Sequence, residues 1–398
     1  MEAQQVSEKI VIGLKVCMIT PCVLPITKPI ADSIRFFNIK SQLTRKGAEV
    51  IVVSRNTRLT FEVARENNLV DYKVPAINVR WLWEIAFMLL LVPTLIKVCK
   101  KEKIDIIFVN SGLCGVPLYF YAKLKNKTII HYDVMGIAFR EALLSPSRMY
   151  GFIKSIYHKV LDVFMLKSAA FITTINEIHK KKLTSLTRKK IYILRDAVDE
   201  IKFDPDRIRC EINCGKTDAI HLLFVGGLNN RKLDLLFNIL PQAINMIPNL
   251  HVSIIGMGND YTYYTKRALD FDNISSHIHF HGYVSDEIML QHLKMADMAF
   301  SDFWTQIGFP AKVFNYMAMG KAVLVPDAEA IREILTDGVN CLLYKDGEDL
   351  LKKIMLLAQN KEVREVLGRN ARELVLREHT WRKKGDELFE IYQQYCNS

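Results

Sequence analysis

This sequence lacks the marks of several protein classes. Its eight cysteines follow no repeated spacing, which excludes a small disulfide-stapled scaffold and reads as reduced thiols in a cytoplasmic protein. Twelve prolines and eighteen glycines in 398 residues, with no internal repeat or low-complexity tract, exclude collagen-like and disordered chains. The first ten residues, MEAQQVSEKI, hold no basic n-region, and the apolar stretch at 10–19 is broken by Lys15 and lacks a small-residue cleavage site. No secretory signal is therefore expected, and the mature chain is expected to start here. The apolar run WLWEIAFMLLLVPTLIK at 81–97 has twelve uncharged residues between Glu84 and Lys97 and is interrupted by Pro93, short of the about 20 that span a bilayer. What remains is an ordinary globular composition, 50% hydrophobic and 24% charged, at a length that predicts two or three domains.

The net charge of +11 is unevenly spread. Residues 1–204 carry 32 Lys and Arg against 18 Asp and Glu, a balance of +14, while the remainder carries 22 against 25, or −3. The first half is thus drawn to polyanions and the second is not. Nucleic acid is not expected as a partner, because no recognised motif accompanies the charge. An anionic membrane surface fits better. Trp81 and Trp83 at one end of the 81–97 run, with Lys97, Lys100, Lys101 and Lys103 at the other, suit a helix lying at an interface. The basic stretches HKKK (179–182) and TRKK (187–190) share the same half. A buried helix packed on a sheet fits the run equally well.

Short β-rich runs alternate with helical patterns along the chain. KVCMIT (15–20), VIVVS (50–54), IDIIFVN (104–110), KTIIHYD (127–133), AFITTI (170–175) and KIYIL (190–194) form a first set, with a helix over 32–46 stopped by Gly47. HLLFVGG (221–227), HVSIIGMG (251–258), HIHFHG (277–282), MAFSDF (298–303) and AVLVPD (322–327) form a second, with helices at 284–296 and 312–319. The unperiodic, charged segment 199–219 separates them. The expected fold class is α/β, two Rossmann-like, doubly wound domains facing a cleft: residues 1–198, residues 199–380, and a C-terminal helix, 381–398, that crosses back to the first domain.

In FVGGLNNRK (224–232) a strand runs into Gly226 and Gly227 and then Arg231 and Lys232 before a helix. Glycines admit a phosphate to the backbone, a helix N-terminus supplies N–H groups, and the basic side chains complete a diphosphate site. An ordinary strand-to-helix turn with exposed basic residues accounts for the segment as well. IIGMGND (254–260) holds Gly-x-Gly after a strand, but Tyr261 takes the third glycine's place and the dinucleotide signature is incomplete. His277, His279 and His281 alternate along one strand, a row too spread to close around one ion, and Cys210 and Cys214 have no second pair. No metal site is expected.

The segment GFPAKVFNYMAMGKAVLV (308–325) is the most specific stretch. It resembles the nucleotide-binding helix of retaining glycosyltransferases of family 4, which have the GT-B fold and the pattern Pro-Ser-Lys-x-x-Glu-Tyr-Met-Ala-x-Gly-Lys-Pro-Val. FVGGLNNRK resembles that family's diphosphate loop, ILRDAVDEIKFDP (193–205) its linker, IHFHGYVSDEIMLQHLKMADM (278–298) its strand-Gly segment, and AIREILTDGVNCLLY (330–344) its Glu-Ile-Ile segment. The resemblance implies a nucleotide diphosphate-sugar donor held by Gly226, Gly227, Arg231, Lys232, Gly282, Tyr283, Lys312 and Asn315. It also implies a sugar-facing histidine or aspartate at the end of the strand IIHYDVMG (129–136). His131 and Asp133 are the candidates there, with Lys232 as the third catalytic residue; a strand-end histidine capping a loop is the plainer alternative, and Glu141 lies nearby.

The sequence departs from the family at three places. The Glu-x7-Glu pair falls on Ile307 and Asn315, and the diphosphate arginine falls on Gly227. The first domain has ITKPIADS (26–33) where the family has a Gly-Gly loop. The expected function is transfer of a sugar, with retention, from a nucleotide diphosphate-sugar to a lipid-linked (polyprenyl-linked) or membrane-proximal saccharide acceptor, without cofactor or metal. The expected location is cytoplasmic and peripheral on the inner face of the cell membrane. A non-catalytic GT-B subunit with a degenerate donor site is the alternative.

Overall fold

The computed structural model describes residues 13–25, 31–66, 69–77, 79, 82–124, 127–136, 148–209, 218–229, 232–271, 274–302 and 308–397. The chain forms two compact units, Met1–Asp196 with Trp381–Ser398, and Ala197–Thr380.

Unit 1 runs β1 (Lys15–Val23), α1 (Ala31–Arg45), β2 (Glu49–Arg55), β3 (Glu62–Glu66), β4 (Leu69–Val74), α2 (Leu82–Glu102), β5 (Ile106–Val109), α3 (Gly115–Lys123), β6 (Ile129–Val134), α4 (Arg148–Ser168), β7 (Phe171–Thr174), α5 (Glu177–Thr184) and β8 (Lys190–Ile193). The sheet order is β3-β4-β2-β1-β5-β6-β7-β8. All pairs are parallel except β3 with β4. Strands buried on both faces explain the near-continuous Val and Ile runs. One face packs Cys17, Ile107, Ile130 and Ile172 against Leu95, Leu118 and Met165 of the helices. The other face meets α1, with Phe36 edge-on to Phe108. The sequence patterns did not reveal β3 and β4. They form an antiparallel edge, and edge strands carry charges such as Glu62 and Arg65 that erase the apolar signal.

Helix α2 is 21 residues long, longer than the uncharged run inside it, and Pro93 does not end it. The expectation from that run, that it is too short to span, is therefore corrected. Among the described residues α2 is the one helix long and apolar enough to cross a membrane by length and composition. It nevertheless packs on the sheet: Phe87, Leu91, Leu95 and Val98 recur at helical spacing and join the core.

Unit 2 runs β9 (Ile220–Val225), α6 (Asp234–Met246), β10 (Leu250–Ile255), α7 (Tyr261–Leu269), β11 (Ile278–Gly282), α8 (Asp286–Met295), β12 (Met298–Phe300), α9 (Ala311–Ala318), β13 (Ala322–Pro326), α10 (Glu329–Arg332), β14 (Leu342–Tyr344), α11 (Gly347–Gln359) and α12 (Lys361–Glu378). Its parallel sheet has the order β11-β10-β9-β12-β13-β14. Alternate residues face two cores: Leu222, Phe224 and Phe300 meet α6 and α11, whereas Leu223, Ala299 and Val323 meet α9 and α12.

The last helix, α13 (Trp381–Cys396), belongs to unit 1. It lies against α1 so closely that a Cβ on Gly385 would collide with Gln42. Asp386 pairs with Arg45 and Lys46 at 3.0 and 2.7 Å, and Tyr395 stacks on Phe171 of β7 at 4.4 Å.

Candidate functional site

In unit 2 the winding reverses between β9 and β12, and open parallel sheets bind ligands outside the strand ends at such a reversal. The loop after β9 carries Gly226 and Gly227. It rests on the loop after β10, with Gly226 N–H donating to Ile255 O at 2.9 Å and Leu228 N–H to Met257 O at 3.1 Å. Gly256 has φ +133°, and a Cβ there would strike the Gly226 carbonyl; one on Gly258 would strike that of Leu228. The glycines of IIGMGND thus pack one strand-end loop on another, and their incomplete dinucleotide pattern has this structural cause.

Lys312, in the first turn of α9, brings its Nζ over the Phe224 ring, 3.8 Å from its centre. A Cβ on Gly226 would lie 3.1 Å from that Nζ. The ammonium and the glycine loop are therefore adjacent. Loss of solvent, and then the neighbouring Lys232 charge, lower the Lys312 amine to about 7 against the opposing pull of Asp302. Two lysines thus repel each other beside a backbone loop open for want of side chains, an arrangement suited to a phosphate-bearing ligand. Asn315 sits half-buried on α9, three residues beyond Lys312. Gly282 ends β11 with φ +64°, and a Cβ there would lie 3.5 Å from Met257 Sδ and 3.8 Å from Tyr261 Oη. Tyr283 beside it is 87% exposed. Arg231 and Ile307 lie outside the described residues, as do Trp81, Glu141, Cys210, Cys214 and residues 26–30.

Two contributors were not singled out from the sequence. The Tyr316 hydroxyl accepts from Val225 N–H at 2.9 Å and lies 3.2 Å from Val225 O, clamping α9 to the end of β9. It occupies the tyrosine of the family pattern. Asp302, buried after β12, is approached by the Tyr344 hydroxyl at 3.5 Å; it stood at the end of MAFSDF with nothing in its spacing to mark it.

His131 and Asp133 are elsewhere, inside unit 1, and both are 0% exposed. The His131 ring nitrogens bond Tyr392 Oη at 2.9 Å and Thr173 Oγ1 at 2.8 Å, and the ring stacks on Phe171. Asp133 accepts from Arg35 Nε at 2.7 Å and Nη2 at 2.9 Å, and from Thr173 Oγ1 at 2.5 Å. Arg35 also donates to Asp196 and to Leu194 O. Their polar atoms are spent on one another, so the catalytic assignment of His131 and Asp133 is corrected: they are interior groups that hold α13 and the chain at Leu194–Asp196. Burial lowers the His131 imidazole to about 3, with the Asp133 charge opposing and the Arg35 charge assisting. Burial alone would raise Asp133, but the Arg35 guanidinium holds it below the usual carboxylate range. Arg35, a cation set directly before Phe36 and Phe37 on α1, was the overlooked sign of this network.

The histidine row is wider than the sequence indicated. His251 Nδ1 lies 3.1 Å from His279 Nε2, and its ring stacks near His221 and His277. Stacked rings do not converge on an ion, and among the described residues no group of three or more His, Cys, Asp or Glu is placed to hold a metal.

Comparisons with known proteins agree with this architecture. Residues 219–360 match the model of glycosyl transferases group 1, and residues 34–200 that of glycosyltransferase family 4. An uncharacterized glycosyltransferase of Methanocaldococcus jannaschii is 24% identical over 359 residues, 85% of this chain and 87% of that one. A phosphatidyl-myo-inositol mannosyltransferase of Mycobacterium tuberculosis is 25% identical over 194 residues, 46% of this chain and 48% of that one. Among solved structures, Anabaena HepE in complex with UDP has the same fold, with a TM-score of 0.70 at 13% identity over 96% of this chain and 100% of that one.

The interior role of His131 has a measurable consequence. The imidazole stays neutral in the folded chain down to about pH 3 but gains a proton near 6.5 when unfolded. The unfolded state therefore binds the extra proton throughout that window, and stability falls as pH drops from 6.5 toward 3, by up to about 1.4 kcal/mol per pH unit. Urea unfolding at pH 7.5, 6 and 5 is expected to show a shallower loss for His131→Gln than for the wild type. Equal slopes in the two proteins would exclude the neutral buried histidine.

Proposed function

The chain is a family 4 glycosyltransferase with the GT-B fold, a hexosyltransferase-type enzyme, and from that premise we propose that it transfers a sugar from a nucleotide diphosphate-sugar to a saccharide acceptor carried on a lipid, with retention at the anomeric carbon. The observation that carries the donor assignment is the Lys312 ammonium beside the open Gly226–Gly227 loop, with Lys232 in electrostatic range. The leaving diphosphate is the group whose negative charge grows in the transition state, and fixed cations in a site of low dielectric stabilise it without reorganising. Lys232, Lys312 and Arg231 supply that charge without a cofactor. Asn315, where the family has glutamate, offers an amide that accepts one ribose hydroxyl bond and donates another. A UDP complex of the structurally similar HepE supports a nucleotide in this role.

A membrane-borne acceptor is supported by the resemblance to a phosphatidyl-myo-inositol mannosyltransferase and by an apolar surface of unit 1. Helix α4 exposes Met149, Phe152, Ile153, Ile156, Val160 and Val163, spaced as one stripe, with Met149 76% exposed. Lys154, Lys159 and Lys167 lie on the same helix. Helix α2 exposes Leu82, Ile85, Leu89 and Ile96, and the Tyr157 hydroxyl of α4 donates to Glu84 of α2 at 2.8 Å, tying the two helices together. Apolar side chains among lysines on the +14 half of the chain suit the cytoplasmic face of an anionic bilayer.

Lys232→Ala is expected to slow donor hydrolysis, measured with UDP-, GDP- and dTDP-sugars, by about 30-fold, the equivalent of about 2 kcal/mol for one charge-assisted contact. Unchanged turnover in the variant removes Lys232 from the site, and no hydrolysis of any donor by the wild type removes the donor assignment.

Lys312 adds a pH signature. A bound diphosphate raises the amine above its free value of about 7, so affinity is full below pH 7 and falls as pH rises above it, by at most about tenfold per unit. Calorimetric titration with the nucleoside diphosphate of the preferred donor should give this slope in the wild type and a flat profile in Lys312→Met; a flat wild-type profile would place the amine away from the phosphates.

Membrane docking is tested by co-sedimentation with phosphatidylglycerol and phosphatidylcholine vesicles. Binding to the first alone, weakened by salt and by Phe152→Glu with Ile153→Glu, is expected. Equal binding to both lipids, or to neither, overturns the docking.

A further inference from the structure

The sheet of unit 1 also reverses its winding, between β1 and β5, and a cavity of about 410 Å³ lies at the carboxyl ends of β1, β5 and β6, bounded by Pro21, Asn110 and Val134. Its side walls come from α2, through Trp83 and Glu84, and from α4, through Tyr157 and Asp162. Its charge is unlike that of the domain around it. The two carboxylates line it, and no lysine or arginine does among the described residues. His158, also in its wall, is held below its ordinary value by loss of solvent and by Lys154, and adds no full positive charge at neutral pH. The nearest cations act on its wall residues from outside the lining: Lys154 on His158, and Arg55 on Trp83, with the guanidinium 4.3 Å from the ring centre.

The carboxylates are fixed acceptors. Glu84 takes the Tyr157 hydroxyl at 2.8 Å, and Asp162 takes the Tyr132 hydroxyl at 3.2 Å. Burial and the adjacent Glu84 push the Tyr157 phenol up, so it remains a donor. A carboxylate has about four acceptor positions, so Glu84 retains capacity beyond its tyrosine. Gly112 leaves room for this carboxylate, because a Cβ at that position would displace Asp162 Oδ1. The cavity thus combines an indole and phenols with carboxylates held in place, chemistry that suits the apolar faces and multiple hydroxyl donors of a sugar ring.

We propose that this cavity holds the saccharide acceptor, and that Glu84 and Asp162 select neutral and amino sugars over anionic ones. The proposal rests on the transferase function and extends it to the acceptor's class. Selection follows from sign: a hydroxyl or ammonium donates to a carboxylate, whereas a phosphate or uronate is repelled by two of them. The same helix α4 that exposes the apolar stripe supplies Tyr157 and Asp162 to the cavity, so a sugar head on a lipid has its binding groups and its membrane surface on one element.

The full chain is titrated with methyl α-glucopyranoside, glucosamine and glucuronate by ligand-observed NMR, in the wild type, Glu84→Gln and Asp162→Asn. The first two sugars are expected to bind and glucuronate not to. Glu84→Gln should weaken glucosamine by about tenfold, the scale of one hydrogen bond to a charged group, and Asp162→Asn should act in the same direction. Because Asp162 also anchors the buried Tyr132, the Glu84 variant, altered at an exposed hydrogen bond, keeps the test valid if the other fails to fold. Glucuronate binding as well as glucosamine, no difference between Glu84→Gln and wild type, or no binding by any of the three sugars overturns the proposal. A thermal-shift titration with UDP and GDP on the same samples separates the two ideas. Nucleotide binding without sugar selection sinks the cavity alone, and sugar selection without nucleotide binding sinks the donor assignment alone.

Discussion

A parallel sheet wound outward in both directions from its first strand sends its connections to opposite faces at the reversal, and the strand ends there stay uncovered. Both units are subject to this constraint, and the polar chemistry of each collects where it acts. In unit 2 the reversal lies between β9 and β12, and the groups beside it are Gly226, Gly227, Lys232 and Lys312. In unit 1 it lies between β1 and β5, and the groups are Glu84 and Asp162 with their tyrosines. The same winding thus produces a cationic place in the unit of lower charge and an acidic cavity in the unit of high positive charge. Net charge and local charge have opposite signs in both, because the first reflects solvated surface side chains and the second a few side chains fixed by the sheet.

The Arg35 network does a different task. It joins four stretches distant in sequence: α1, the end of β6 through Asp133, the chain leaving unit 1 through Leu194 and Asp196, and the chain returning to it at Trp381, whose ring centre is 6.0 Å from the guanidinium. A buried ion pair is weak evidence of net stability, because desolvation offsets most of the attraction. Its asymmetry matters more: loss of one partner leaves the other charged in the interior, a change worth about 3–5 kcal/mol. Asp133 is further bonded by Thr173, which also meets His131, and His131 meets Tyr392 of the last helix. The points where the chain leaves and re-enters unit 1 are thereby fixed to the same cation, as no apolar contact, which tolerates sliding, would fix them.

Much of this was legible in the sequence. The parallel strands were visible because burial on both faces leaves unbroken Val and Ile runs, and the 308–325 segment carried enough specific residues to indicate the family and its fold. What stayed hidden has physical reasons. The edge pair β3 and β4 alternates charged with apolar residues and so lost its signal. His131 and Asp133 sit at a strand end in a histidine-aspartate pattern that reads alike for a ligand and for a core network; the difference lay in Arg35, Thr173 and Tyr392, which are 96, 42 and 261 residues from His131 and invisible to local spacing. The α4 stripe escaped because Lys154, His158 and Lys159 interrupt its apolar residues in sequence though not on the helix surface.

In the donor site proposed for unit 2, the state of Lys312 accounts for a site that is stable when empty and attracts an anion. A lysine paired closely with a carboxylate would stay charged, but a phosphate would then have to displace that carboxylate. Here the Asp302 charge pulls on the amine, and the Phe224 ring supplies a weaker attraction from below. Desolvation and Lys232 are left largely unbalanced, and the amine settles near neutrality at about 7. The missing term is a negative charge, which the ligand itself brings. Because the surroundings are already dry and fixed, the attraction acts at a low effective dielectric with little solvent to reorganise. The stabilisation grows with the charge on the departing group, so it is larger for a diphosphate leaving than for the same diphosphate esterified to a sugar, and that difference lowers a barrier where uniform binding would not.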